Sequence, residues 1–397
     1  MQKPKKIFNN TDNIRSEIME GLVYAGRGKI HALPDYCAVY RTLAQNGQTV
    51  IVSGGGSGHE PTFAGFVGEG GIDACALGEV FTSPSPDQII EASRAVHQGN
   101  GVLFLYGNYS GDGMNFDIAA EILAEEGIEC RTVRATDDIA SAPPERMSDG
   151  RGVGGLAFLY KLTGAAAQFE RYALPELEAL ANKANHNTRT IGVALSGCAL
   201  PQADTFNFTL ADNEIELGIG DGDHGIGIKR GFIALNALLA APEFTATDIG
   251  DALLQSGTRL MTSMGGASGA IFGTLFRAGG KGLTGRTELD ATTLAEWLAI
   301  GMQAIHQRGG AEPGDKTMVD ALAAAAECAK ADVALALPEA LTHCAQAAMA
   351  GAEGTSAMVA RFGRAKNLGE RTIGHCNPGA VSMALILQFM AEFAHQN

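Results

Sequence analysis

The chain has 397 residues, 46% of them hydrophobic, and a formal net charge of −15. That length allows two domains with separate cores, and the negative balance argues against nucleic acid, whose binding rests on lysine and arginine meeting phosphates. No apolar run is long enough to span a bilayer and no charged-then-apolar leader is present, so a cytoplasmic protein without membrane contact is expected.

The seven cysteines form no CxxC pair, which fits reduced thiols rather than a disulfide or zinc framework. In chain order, Thr49–Val52 reads as a strand entering Ser53-Gly-Gly-Gly-Ser-Gly-His59-Glu60-Pro61. Three consecutive glycines are expected to let a ligand lie against bare backbone, with His59 at the C-terminal rim of the sheet. The run lacks the lysine of a Walker A loop and the spacing of a dinucleotide fingerprint. Taken alone it reads equally as a tight turn with an incidental histidine. Val102–Tyr106 is a second strand, entering a glycine-rich loop that contains Asp112 and Asn115 and leads into a helix. Asp112 is either a helix N-cap or a general base. Further strands are expected over Cys130–Arg134 and Thr190–Leu195, with helices over Ile118–Glu126 and Gly155–Gln168. Strand, glycine loop and helix in repetition predict a doubly wound α/β sheet with its ligand beyond the strand C-termini. A histidine and a carboxylate on adjacent strand-end loops suit a small hydroxy-ketone. One group orients it and the other receives the hydroxyl proton.

The run Glu216-Leu-Gly-Ile-Gly-Asp221-Gly-Asp223-His224-Gly225 forms a seam. Asp221 and Asp223, one glycine apart, can both reach one hard cation, and the glycines let backbone amides approach phosphate oxygens. Beyond Gly225 the pattern is alanine- and leucine-rich with helical spacing over Ile228–Ala241, Thr247–Ser263, Ala267–Ala278, Thr292–Gln307, Lys316–Ala331, Pro338–Ala360 and Pro378–Ala394. This half is expected to be all-helical. Gly265-Gly-Ala267-Ser268-Gly269 opens one helix as an anion-binding nest or as a close packing contact. Glu312-Pro-Gly-Asp315-Lys316-Thr317-Met318 forces a turn before another, with Asp315 a candidate cap. Gly363-Arg364-Ala365, Leu368-Gly-Glu-Arg371 and His375-Cys-Asn377-Pro378-Gly379 offer arginines for phosphate and a turn for a purine, although each such arginine is commonly a surface ion-pair partner. Cys376 lacks the setting of a nucleophile, and Trp297 reads as helix core or surface.

Together these motifs resemble the dihydroxyacetone (glycerone) kinase family. GGGSGHEP, GEVFTSPSPDQI, GNYSGDGMNF, RGVGG and LADNEIELGIG are similar to its substrate-binding subunit. GDGDHG, GGASG, AEPGDKTM, GRAKNLGERTIGH and NPGA are similar to its nucleotide-binding subunit. The resemblance implies an α/β substrate-binding domain over residues 1–215, its second lobe truncated, and a nucleotide-binding all-helical barrel over 216–397, its first helix missing. It implies an ATP-dependent kinase that uses Mg2+ and a small sugar substrate, dihydroxyacetone first. Carried over by position, Gly56, His59 and Asp112 contact the substrate, with Asp112 the base. Asp221 and Asp223 match two magnesium aspartates, and Glu216 stands where the third is expected, five residues before Asp221. His224, Gly225, Ile226 and Gly227 match the phosphate loop, and Ala267 and Ser268 its partner. Gly309, Met318, Arg364, Asn377, Pro378 and Gly379 match the rest of the nucleotide pocket.

The chain departs from the pattern at the seam. The Ile-His-Gly-Glu-Pro-Gly segment, whose histidine holds the substrate carbonyl as a hemiaminal in the family, is absent along with most of the second lobe. A homodimer that pairs one chain's substrate half with another's nucleotide half would answer so short a connection, and it would cover apolar faces left by the missing segments. ATP is the expected donor because both halves share one chain; a phosphotransferase partner is the alternative. Two other readings compete with the kinase: a catalytically impaired sugar- or nucleotide-binding regulatory relative, and a lyase that cyclises nucleotides.

Overall fold

In the computed structural model of the protein, residues 4–43, 47–142, 144–206, 210, 215–217, 224–264, 266–362 and 364–396 are described; for 144–145, 216–217, 224–230, 364, 367–368 and 371 only the backbone path is described. Two compact units are present, Met1–Asp223 with Gly265–Ala267, and His224–Met264 with Ser268–Asn397.

The first unit opens with α1 (Ile14–Ala25), then β1 (Ile30–Leu33), β2 (Ala38–Arg41), β3 (Val50–Ser57) and β4 (Ala74–Val80). It continues through α2 (Pro86–Val96), β5 (Val102–Gly107), α3 (Ser110–Glu125), β6 (Cys130–Ala135), α4 (Gly155–Gln168) and α5 (Leu174–Asn187). The six strands form one sheet in the order β1-β2-β4-β3-β5-β6. β4, β3, β5 and β6 run parallel, and β1 and β2 extend the sheet antiparallel beyond β4.

Successive side chains of a strand face opposite sides of a sheet, and here both sides are covered. Ile51, Leu103, Leu105 and Val133 pack with Met19 of α1, Leu156 and Leu159 of α4 and Leu177 of α5. Val50, Val52, Phe104 and Tyr106 pack with Ile89 of α2 and Phe116 and Leu123 of α3. That two-sided burial is why the strands read as continuous apolar runs rather than alternating ones.

Thr190–Leu195, expected as a strand of the doubly wound sheet, contributes only Val193–Ala194 (β7). It pairs antiparallel with Glu216–Leu217 (β8) in a separate two-stranded ribbon. Ser53–Ser57, expected as a loop, continues β3 instead. α3 begins at Ser110, so only Asn108 and Tyr109 separate it from β5.

The second unit is helical: α6 (His224–Leu239), α7 (Ile249–Met264), α8 (Gly266–Gly282), α9 (Ala291–Gly309), α10 (Met318–Ala331), α11 (Leu337–Gly354) and α12 (Pro378–Ala394). Trp297 is fully buried in its core, edge-on to Phe276 at 5.2 Å, with its indole N–H donating to the Leu275 carbonyl at 3.2 Å. α7 and α8 cross at two glycine pairs. A Cβ on Gly250 would lie 2.6 Å from the Gly280 carbonyl oxygen, and one on Gly257 would lie 2.8 Å from that of Gly273. The pairs are two helical turns apart on each helix, so one bare stripe on each lets the backbones touch.

Candidate active site

Between β3 and β5 the chain reverses the direction in which it adds strands, and in open α/β sheets ligands bind beyond the strand C-termini at such a point. Here the sheet also splits. β3 and β5 pair over Val50↔Val102 to Val52↔Phe104 and then part. Beyond that point β3 stays paired with β4 as far as Ser57↔Val80, and β5 with β6 as far as Gly107↔Ala135. Gly56 and His59 follow one side of the fork; Asp112 follows the other.

The His59 Nδ1 lies 2.8 Å from the Gly56 carbonyl oxygen. A carbonyl only accepts, so Nδ1 carries a proton, and in the neutral tautomer of the exposed ring Nε2 is the acceptor. Phe81 and Phe63 flank the ring, at centroid distances of 4.9 and 6.1 Å. Phe81 itself is held at φ 58, in the left-handed region, as the third residue of a turn closed by Thr82 N–H donating to Glu79 O at 2.9 Å. A bulky residue there stores strain of the kind that collects at functional sites.

The protein itself occupies the space that side chains on the β3 glycines would take. A Cβ on Gly55 would lie 2.0 Å from the Phe63 ring, one on Gly56 would lie 2.5 Å from the Thr82 backbone nitrogen, and one on Gly54 would lie 2.9 Å from the Ala76 oxygen. These glycines therefore permit close packing of the Phe63 ring, of β4 and of the segment after it.

Asp112 is not the N-cap of α3, since Tyr109 occupies that position; it lies in the first turn. It is 7% exposed, and its Oδ1 accepts from the Ser83 hydroxyl at 2.8 Å. A carboxylate in a first turn is favoured by the helix dipole. Asn115, one turn on, donates to the Pro84 carbonyl at 2.7 Å, which fixes the helix start against the same segment. The Asn108 side chain donates to Gly150 O at 2.9 Å and the Tyr109 hydroxyl to Gly152 O at 3.0 Å, holding the strand-end loop from its other side. Ser83 and Tyr109 were not anticipated as site residues. Ser-Pro-Ser-Pro signals a turn, but a hydroxyl that meets a carboxylate on another strand's loop has no local signature.

In the helical unit the candidates open every second helix. His224, Gly225, Ile226 and Gly227 begin α6; Ala267 and Ser268 lie in the first turn of α8; Met318 begins α10; Asn377, Pro378 and Gly379 cap and begin α12. Helix N-termini present N–H groups suited to phosphate oxygens. For α10 and α12 the convergence is direct. The Asn377 side chain donates to Lys316 O at 2.9 Å and accepts from Ala380 N–H at 2.9 Å, and a Cβ on Gly379 would sit 3.5 Å from the Met318 Cβ. Thr317, not Asp315, caps α10, in a reciprocal box with Asp320. Gly309 ends α9, and Arg364 opens the 3-10 segment Arg364–Thr372. Asp221 and Asp223 lie outside the described residues. Glu216 is placed in β8 by its backbone alone. Among the described residues no group of three His, Cys, Asp or Glu side chains is arranged to hold a metal.

Residues 20–244 match the family model of the Dak1 domain, and residues 218–392 that of the DAK2 domain. The dihydroxyacetone-binding subunit DhaK of a PTS-dependent dihydroxyacetone kinase from Lactococcus lactis subsp. lactis is 43% identical over 216 residues, 54% of this chain and 65% of that subunit. The chain therefore spans less than two thirds of that relative. The L-erythrulose kinase of Pectobacterium atrosepticum is 26% identical over 562 aligned positions, covering 96% of this chain and 95% of that kinase. That alignment is longer than the chain, so the kinase carries stretches that this chain lacks. Among solved structures, the native dihydroxyacetone kinase of C. freundii matches with a TM-score of 0.51 at 23% identity, over 98% of this chain and 99% of that one. At that identity the match establishes a shared fold. The same enzyme in complex with AMP-PNP and Mg2+ matches with a TM-score of 0.50 at 21% identity, over the same shares of the two chains.

Proposed function

The chain belongs to the dihydroxyacetone kinase family, and on that premise we propose that it transfers the terminal phosphoryl group of ATP to a hydroxyl of dihydroxyacetone or a related short keto sugar, with Mg2+. The observation that carries this reading is the fork between β3 and β5, with His59 on one side and the buried Asp112 on the other. The His59 Nε2 lone pair orients the substrate by accepting a hydroxyl proton in a hydrogen bond. Asp112 takes the proton of the attacking hydroxyl as its oxygen bonds to the γ-phosphorus and ADP leaves. Erythrulose kinases among the relatives support a ketose slightly longer than dihydroxyacetone as a second substrate.

Residues 1–215 serve as the substrate domain and residues 216–397 as the nucleotide domain in this proposal. The openings of α6, α8, α10 and α12 take the phosphates and base, with Gly309 and Arg364 completing the pocket. Asp221, Asp223 and Glu216 would hold the magnesium, which would neutralise charge on the phosphates. The reading also places the protein in the cytoplasm; no described helix is long and apolar enough to cross a membrane. A homodimer is supported by the apolar side chains on and just after α4, where Phe158 is 69% and Phe169 60% exposed. Sedimentation at micromolar concentration giving only a 41.2 kDa species contradicts the dimer.

The test of the proposed chemistry is Asp112→Asn. It is expected to retain ketose binding and lose turnover by about a hundredfold or more, the scale of general-base catalysis. Undiminished turnover refutes the role. The stretches present in the erythrulose kinase and absent here favour one second reading, a relative that binds sugar or nucleotide without transfer. Binding of both ligands by a folded wild type, with no product, is its signature.

A further inference from the structure

Lys316 is 3% exposed and sits at φ 59, a left-handed conformation unusual for a lysine. Its ammonium lies within hydrogen-bond distance of four backbone carbonyls, Thr355 at 2.7 Å, Thr372 at 2.7 Å, His375 at 2.8 Å and Met358 at 3.0 Å, so its three N–H groups are all used and one is shared. No carboxylate is among these partners. The neighbouring Asp315 is turned to other duties, accepting from Glu312 N–H at 2.8 Å and pairing with Arg361 at 3.5 Å. A buried cation satisfied only by carbonyl dipoles is costly to desolvate. Apolar packing alone would hold a helix start at less cost, so the ammonium does something apolar contact does not. It ties two separate stretches of backbone, 355–358 and 372–375, to the start of α10.

Nucleotide candidates flank the start of α10 and the second of those stretches. Lys316 lies two residues before Met318. Thr372 O, which it holds, ends the segment Arg364–Thr372, two 3-10 turns joined by a kink at Gly369. His375 O lies two residues before Asn377, whose side chain returns to Lys316 O and whose backbone N–H donates to the Thr355 hydroxyl at 2.8 Å. The links form a closed ring: Lys316 ammonium to Thr355 O, Thr355 hydroxyl to Asn377 N–H, and the Asn377 side chain back to Lys316 O.

We propose that Lys316 is a positioning residue of the nucleotide site, its ammonium fixing Met318, the Arg364 segment and the Asn377–Gly379 turn in one mutual geometry. The inference rests on the nucleotide-binding reading of the helical unit given above. Lys316 touches no nucleotide itself; it acts through the three segments.

The experiment uses full-length protein and mant-ATP as the probe, with Lys316→Met as the variant and circular dichroism and thermal melting as the check on folding. The expected result is a mant-ATP dissociation constant and an ATP KM raised roughly ten- to a hundredfold, the cost of displacing positioned groups by about an ångström. The KM for dihydroxyacetone stays at the wild-type value, and kcat at saturating ATP falls far less than the ATP KM rises. A folded variant with unchanged affinity for mant-ATP overturns the proposal, because a purely structural lysine lowers the active fraction without moving KM. Wild type that binds no mant-ATP contradicts the kinase reading and removes this inference with it. A second measurement needs no variant: hydrogen exchange of wild type with and without AMP-PNP. The proposal expects residues 312–320 and 372–379 to gain protection together; protection confined to one of them overturns it.

Discussion

The Ser83 hydroxyl donates to Asp112 Oδ1 across 2.8 Å, joining the segment after β4 to the first turn of α3. Both residues are buried, so the bond orients one oxygen of the carboxylate. Removing a donor to an ionised carboxylate disfavours the charged form. Ser83→Ala is therefore expected to lower kcat/KM for the ketose several-fold, the scale of about 1 kcal/mol for a lost hydrogen bond. Ser83→Thr restores the hydroxyl and should return kcat/KM towards its wild-type value. An unchanged kcat/KM in Ser83→Ala contradicts the pairing's role.

His59 is exposed, so replacing it should cost little stability, within about 0.5 kcal/mol. His59→Ala is expected to raise the KM for the ketose roughly tenfold or more through the loss of the oriented Nε2 acceptor. His59→Gln, which keeps an acceptor on a shorter side chain, should lie between the two. Steady-state kinetics with a parallel melt separates the effects, and a loss of stability as large as the loss of affinity would contradict the assignment.

Gly56→Ala tests the packing account of the β3 glycines. The new methyl would meet the Thr82 nitrogen at 2.5 Å and the Phe81 carbonyl carbon at 2.7 Å, both backbone atoms that cannot rotate away. Overpacking of this kind costs about 1–3 kcal/mol. The displaced Phe81 flanks His59, so ketose affinity should fall with stability in the same variant. A stable Gly56→Ala with normal affinity would show that the space is more yielding than the structure implies.

Asp73 gives the fold a pH dependence of defined sign. It is fully buried, accepts from Ile51 N–H at 2.7 Å and pairs with Arg41 at 2.6 Å. Burial pushes its carboxyl up to about 6 from the ordinary 3.8, against the downward pull of the Arg41 guanidinium. A carboxyl raised on folding takes its proton in the native state first, so its contribution is complete below about 4 and is lost as pH rises through about 6. Two units correspond to about 3 kcal/mol. Urea unfolding of wild type and Asp73→Asn at pH 7 and pH 4 should show wild type gaining on the variant by that order as pH falls. The opposite slope would mean that the Arg41 pairing outweighs burial.

Much of this was legible in the sequence where one local rule sufficed. α4 and α12 begin and end where periodicity places them, and α12 is announced by Asn377 as cap and Pro378 as first residue. β5 and β6 show as apolar or β-branched runs. The central strand β4, Ala74-Cys-Ala-Leu-Gly-Glu-Val80, was not read because it has almost no β-branched content; its place comes from pairing with β2 and β3 on either side. The glycines of β3 read as a loop because glycine weakens isolated strands, whereas here the Phe63 ring and the Phe81–Thr82 backbone require it. Lys316 was visible as one letter of a turn, and its four carbonyl partners lie 39 to 59 residues away in the chain. Long-range backbone partners of that kind leave no pattern in the residues that supply them.

The most direct test of the central claim is ADP release from purified full-length protein supplied with Mg2+ and ATP, measured with and without dihydroxyacetone. The account predicts release that depends on the ketose and saturates with it, with L-erythrulose as an alternative acceptor. Release that is absent in a folded sample able to bind ATP, or that ignores the ketose, contradicts the kinase assignment.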